Sequence, residues 1–166
     1  MRIMLACAAA AIAMTLAPAL AQQAQRPPIA TTKVEGTEGV YIFRNGNHQA
    51  MFVVTKDGVI ATDPIGLGRP EAVTTYIDEI KKVAKAPIKY LVYSHHHYDH
   101  IAGGKPFKDA GAIVVAHQRA KEHLARLKNP DVVVPDVGVG NRHVINLGGT
   151  RSSCIMSGAT TPTIRW

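Results

Sequence analysis

Cysteine is nearly absent: two occur in 166 residues, at Cys7 and Cys154. Cys7 lies in an N-terminal segment expected to be removed, so Cys154 has no partner within the molecule and no disulfide framework can staple the fold. Stability must come from a packed core or a metal. Runs of basic residues are also missing. The net charge is +7, but lysines and arginines stand singly or in pairs, such as Lys81-Lys82, Lys121, Arg126 and Lys128. That is the spacing of solvated helix faces, so no nucleic-acid partner is expected. Internal repeats and low-complexity tracts are lacking as well. Hydrophobic residues make up 46% and charged residues 19%, which excludes a disordered polyelectrolyte and permits a core. The length suits one ordinary domain and not two.

Residues 1–21 form a separate object. Arg2 is a positive start, an alanine-rich apolar stretch follows, and Ala19-Leu20-Ala21 fits the small-residue rule for cleavage. This reads as a secretory signal peptide cut after Ala21, giving a secreted or periplasmic product. The run is too short and too rich in alanine for a stable membrane anchor. Residues 22–30 are polar and carry prolines, a linker. From there the pattern is strand-like through Asn45, with a turn at Asn45-Gly46 and a hairpin about Lys56-Asp57-Gly58. Ala72, Val73, Tyr76, Ile77, Ile80 and Val83 then recur at helical spacing up to Pro87. An almost unbroken apolar run from Ile88 to Tyr93 reads as a buried parallel strand. A short helix, a strand at 113–117, a helix from Gln118 to Leu127 and a strand candidate from His143 follow. The order predicts an α/β domain over 31–150.

The chemistry concentrates in Ser94 to His100, where four of seven residues are histidines and one is an aspartate. His95 and His97 are two apart at the end of the apolar strand, so extended backbone would point both rings the same way. Asp99 and His100 follow as the chain turns before Gly103-Gly104. Imidazole and carboxylate donors of this kind suit a divalent ion such as zinc. His96 alternates to the other side, and Tyr98 is expected to pack. Isolated histidines are mostly surface or satisfied groups, and His48, His117, His123 and His143 are read that way. His117, ending a strand, is the one best placed to approach the cluster.

His95, His97, Asp99 and His100, after a buried strand and before Gly103-Gly104, resemble the H-x-H-x-D-H signature of the metallo-β-lactamase-like hydrolase superfamily. Asp63 matches an upstream aspartate that supports the metal loop from behind in that family. The resemblance spans roughly 35–150. It implies an αβ/βα sandwich, of which this chain would be the N-terminal half, a mixed sheet with flanking helices. It also implies up to two zinc ions, the first on His95 and His97 and the second on Asp99 and His100, with Asp99 as the candidate catalytic residue. In the family the ions acidify a water that attacks a carbonyl of a small-molecule substrate. A thioesterase- or lactonase-type activity and a non-catalytic metal-binding module are the other readings.

The family's remaining ligands lie downstream of this signature, yet the last acidic residue here is Asp136 and the last histidine is His143. The segment 151–166 shows neither strand alternation nor a helical period. One permitted back-translation, shifted by a single base after the Arg151 codon, reads as a strand-like opening followed by Gly-x-x-His-x-Asp. The expectation is a truncated chain whose residues 151–166 are a frameshifted, non-native tail and whose activity is weak or absent. A bare sheet face, and self-association through it, would follow.

Overall fold

A computed structural model of the chain describes residues 29–155. The expected signal peptide and its cleavage site, residues 22–28 of the linker and residues 156–166 lie outside the described residues. Strands β1 (Ile29–Lys33), β2 (Val40–Asn45), β3 (His48–Val54) and β4 (Val59–Thr62) are followed by helix α1 (Pro70–Val83) and strand β5 (Ile88–Val92). Two short helices, α2 (Tyr98–Ile101) and α3 (Lys105–Asp109), precede β6 (Ile113–His117), α4 (Gln118–Leu127) and β7 (Val137–Val139). A hairpin of β8 (Arg142–Leu147) and β9 (Thr150–Ile155) completes the described chain.

Strands β1 to β7 form one sheet in chain order, antiparallel from β1 to β4 and parallel from β4 to β7. The parallel part arises because helices carry the chain back across one face between β4, β5, β6 and β7. The C-terminal ends of β4, β5 and β6 therefore share an edge, where ligand sites of open α/β sheets lie. Asp63, the Ser94–His100 loop and His117 all emerge there.

Helix α1 forms where Pro70 fixes the first turn and Ala72, Val73, Tyr76 and Ile80 return on one buried face. Lys81 and Lys82 sit in its last turn, favourable to the helix dipole. Tyr76 is the centre of this layer: its ring stacks on Phe43 at 4.5 Å, meets Phe107 edge-on at 5.7 Å, and its hydroxyl donates to the Met51 carbonyl at 2.9 Å. On the opposite sheet face, Val53, Ile60, Val92 and Val115 are buried with Ile145, and Leu147 packs against them.

That second cluster corrects the expectation of a bare face. Val92 of the apolar strand is wholly buried, and the β8–β9 hairpin supplies apolar side chains to this side of the sheet. The segment 151–155 is also not structureless. Gly148 and Gly149 turn with φ of +56° and +78°, and Thr150–Ile155 then pairs antiparallel with β8, from Leu147↔Thr150 to Arg142↔Ile155. Backbone pairing builds this strand, which is why side-chain alternation gave no sign of it. At the other end, Ile29 and Ala30 of the expected linker already belong to β1, paired with Asn45 and Arg44. No helix among the described residues is long and apolar enough to cross a membrane.

Candidate metal centre

The centre is built on two loops laid side by side. The segment after β4 takes positive φ at Asp63 (+35°) and Ile65 (+50°), which swings it across the end of β5. There the Asp63 amide donates to the Val92 carbonyl, the Ile65 amide to His100 and the Gly66 amide to Ala102. Close approach is possible because both loops carry glycine at the crossing. A Cβ on Gly66 would stand 2.8 Å from the Ala102 carbonyl oxygen, and one on Gly103 would stand 3.2 Å from the Gly66 Cα. Gly103 also needs its φ of +86°.

Asp63 is 4% exposed. Its Oδ1 accepts from the Ser94 amide at 2.8 Å, and its Oδ2 accepts from the Ser94 hydroxyl and faces His100 Nδ1 at 3.3 Å. An ionised carboxylate only accepts. His100 therefore carries its proton on Nδ1, and its Nε2 is left with a lone pair. The Ser94 hydroxyl, having given its hydrogen to Asp63, accepts from His95 Nδ1 at 2.8 Å, so His95 too presents an unprotonated Nε2. One buried carboxylate sets both tautomers. Ligand atoms of Asp63, His95 and His100 all lie within 4.8 Å of one another.

The other expected residues surround this core. The His95 and His97 rings lie 4.7 Å apart, although β5 ends at Val92 and the intervening backbone bends rather than staying extended. His95 and His100 are closer still, at 4.2 Å between centroids. Asp99 Oδ2 stands 3.7 Å from His100 Nε2. Burial lowers the His95 pKa, with the neighbouring His100 adding to it. The hydrogen bond to Asp63 raises that of His100, against a smaller contribution from burial. Burial opposes ionisation of Asp99, but His100 and His48 beside it outweigh that and hold its carboxyl below the usual range.

His117 stays outside the cluster: its Nδ1 accepts from the Arg119 amide and caps α4. His96 turns away, as expected, and its ring meets His123 of α4 at 5.0 Å. Tyr98 packs against the helix-side core. His143 sits in β8, paired with Cys154. His48 departs from its reading as an isolated histidine. The β2–β3 hairpin carries it to the cluster, where its Nε2 stands 3.4 Å from Asp99 Oδ2 and its Nδ1 takes a 2.9 Å bond from Arg69. Its only sequence signal is a polar aromatic next to the Asn45-Gly46 turn, which many surface hairpins share.

The strand ends of the sheet thus carry the H-x-H-x-D-H loop, backed by a buried aspartate. The chain belongs to the metallo-beta-lactamase superfamily, whose family model matches residues 44–147. A metallo-beta-lactamase from Pontibacter korlensis superposes with a TM-score of 0.64 at 22% identity, covering 77% of this chain and 60% of that one. A Cronobacter sakazakii metallo-beta-lactamase with a HARLDQ motif gives 0.68 at 22% identity, covering 82% and 56%. In sequence, a hydroxyacylglutathione hydrolase of Pelagibacter ubique is 36% identical over 50 residues, which are 30% of this chain and 20% of that protein. The chain spans 60% or less of the length of each of these proteins.

Proposed function

We propose that the chain contributes the metal-holding half of a hydrolase, with His95, His97, Asp99 and His100 as metal ligands and Asp63 supporting them from behind. The observation that carries the reading is the tautomer arrangement: Asp63, directly and through Ser94, engages Nδ1 of His100 and of His95 and so leaves the Nε2 lone pair of each ring free, in rings whose centroids are 4.2 Å apart. Neutral imidazole with one carboxylate is the donor set zinc takes, and up to two ions fit the two pairs His95–His97 and Asp99–His100. When bound, zinc lowers the pKa of a coordinated water and polarises a carbonyl. The protein's own part is to hold the imidazoles in position and to fix which nitrogen of each is free. Asp99, with its side chain 45% exposed, accepts a hydrogen from the attacking water and fixes its direction.

The local likeness to a hydroxyacylglutathione hydrolase favours a thioester as the substrate class. Water adds to the acyl carbon and the carbon–sulfur bond breaks; the acyl group leaves as a carboxylate, one proton of the water goes to the departing thiolate to give the thiol, and the other is released to solvent. Export to the periplasm or medium, with cleavage after Ala21, belongs to the same proposal and rests on the N-terminal pattern alone. The test is hydrolysis of a hydroxyacyl thioester and of a β-lactam by zinc-loaded protein, with a chelated control. Chelator-sensitive turnover of the thioester above the β-lactam is expected. Tight zinc binding with no turnover of either would contradict hydrolysis and leave a metal-binding module.

A further inference from the structure

We infer that Arg69 and His48 form a relay that positions the Asp99 carboxylate, with His48 fixed as a hydrogen-bond donor and thereby excluded as a metal ligand. Arg69 lies just ahead of α1, and its Nη2 is 2.9 Å from His48 Nδ1, while its Nη1 reaches the Asn45 carbonyl at 3.5 Å. A guanidinium has donors only and does not give up its proton in proteins. His48 Nδ1 must therefore be the acceptor. The single proton of the neutral ring is then on Nε2, the nitrogen that stands 3.4 Å from Asp99 Oδ2. His100 Nε2 stands 3.7 Å from the same oxygen.

The direction of each bond follows from the one before it. Arg69 donates to His48, which turns the His48 Nε2–H toward Asp99 Oδ2 at 3.4 Å, the oxygen that His100 Nε2 also approaches. Without Arg69, His48 could protonate Nδ1 and offer an Nε2 lone pair about 6 Å, ring centre to ring centre, from His100, where it would compete with the neighbouring ligands for metal. The relay thus serves order and specificity of ligation. It also ties three separate pieces of chain, the β2–β3 hairpin, the approach to α1 and the α2 loop, to one carboxylate. His48 and Arg69 are positioning residues, since neither reaches reacting atoms.

The metal side of this inference rests on the metal-centre reading, so the test has a metal-free arm. Nitrogen-15 spectra of histidine-labelled protein without metal should show His48 protonated at Nε2 and bare at Nδ1. Arg69→Met should shift it toward the other tautomer. In the metal arm, cobalt titration should show His48→Ala weakening affinity about 10-fold or more, as for other supports of metal ligands. His48→Gln, which keeps a donor near the Nε2 position, should restore most of it. Protonation of His48 at Nδ1 in the unsubstituted protein would overturn the relay, as would cobalt affinity indifferent to His48→Ala. Protein that binds no cobalt at all would contradict the metal-centre reading, and the nitrogen spectra would then decide the His48 tautomer on their own.

Discussion

Asp63 governs which nitrogens the histidines offer, so the sharpest consequences at the residue scale fall on it. Asparagine tolerates the positive φ that Asp63 adopts, so Asp63→Asn keeps the backbone and alters only the chemistry. An amide has one accepting oxygen where Asp63 uses two, and its NH2 would confront the Ser94 and His100 donors. Metal affinity should fall about 10–100-fold, read by competition with a chelator of known strength. The same substitution should change the pH dependence. Asp63 raises the His100 pKa, which means protons compete for His100 Nε2 up to a higher pH than at an ordinary histidine. Metal should therefore leave on acidification earlier than solvent-exposed imidazoles would predict. In Asp63→Asn the proton-competition limb of the affinity–pH curve should move to lower pH, even as the overall affinity drops. Of the residues involved, His95, His97, Asp99 and His100 were legible because their spacing is local. His48 and Arg69 were not, since only the folded hairpin and the α1 approach bring them to Asp99.

Elements differ in how far the sequence reveals them, and the difference has a physical cause. Helices α1 and α4 stand where periodicity put them, because burial of one helical face imposes a repeat on the sequence. Strands β1, β7 and β9 are short edge or hairpin pieces, held by pairing with a neighbour, and pairing leaves little trace in side-chain alternation. The loop crossing at Gly66 and Gly103 was half legible: Gly103 stood out behind the histidine cluster, but Gly66 and the approach between them did not. Gly103→Ala tests that crossing. Its Cβ would stand 2.5 Å from the Val73 Cγ2 atom, and the φ of +86° strains any side chain. A loss of about 1–3 kcal/mol in urea denaturation is expected for such strain, together with weakened metal binding, because the Ile65–His100 and Gly66–Ala102 bonds would part. Unchanged stability and affinity would show that the loops do not depend on this approach.

For the whole molecule, the sheet has apolar residues on both faces, one under helices and the other meeting the β8–β9 hairpin. Truncating Ile145, 3% exposed at the centre of that contact, to alanine should cost about 2–4 kcal/mol. It should also promote self-association, seen by size-exclusion chromatography with light scattering, since Val53, Ile60, Val92 and Val115 would be less well covered. A variant as stable and monodisperse as its parent would show that the hairpin does not protect this face. The α/β class, the mixed sheet and the superfamily were all within reach of the sequence, because a buried strand and four candidate ligands at its end are local features. How the second face is covered was not, because it depends on a hairpin whose register is set by the Gly148-Gly149 turn.

The central claim is that the strand-end histidines hold metal, and the most direct measurement is the zinc content of the folded protein after equilibrium dialysis, set beside that of a His95→Ala/His100→Ala double variant. Zinc bound by the parent and lost by the folded double variant is the predicted result. Zinc absent from both, or retained equally by both, would contradict the account.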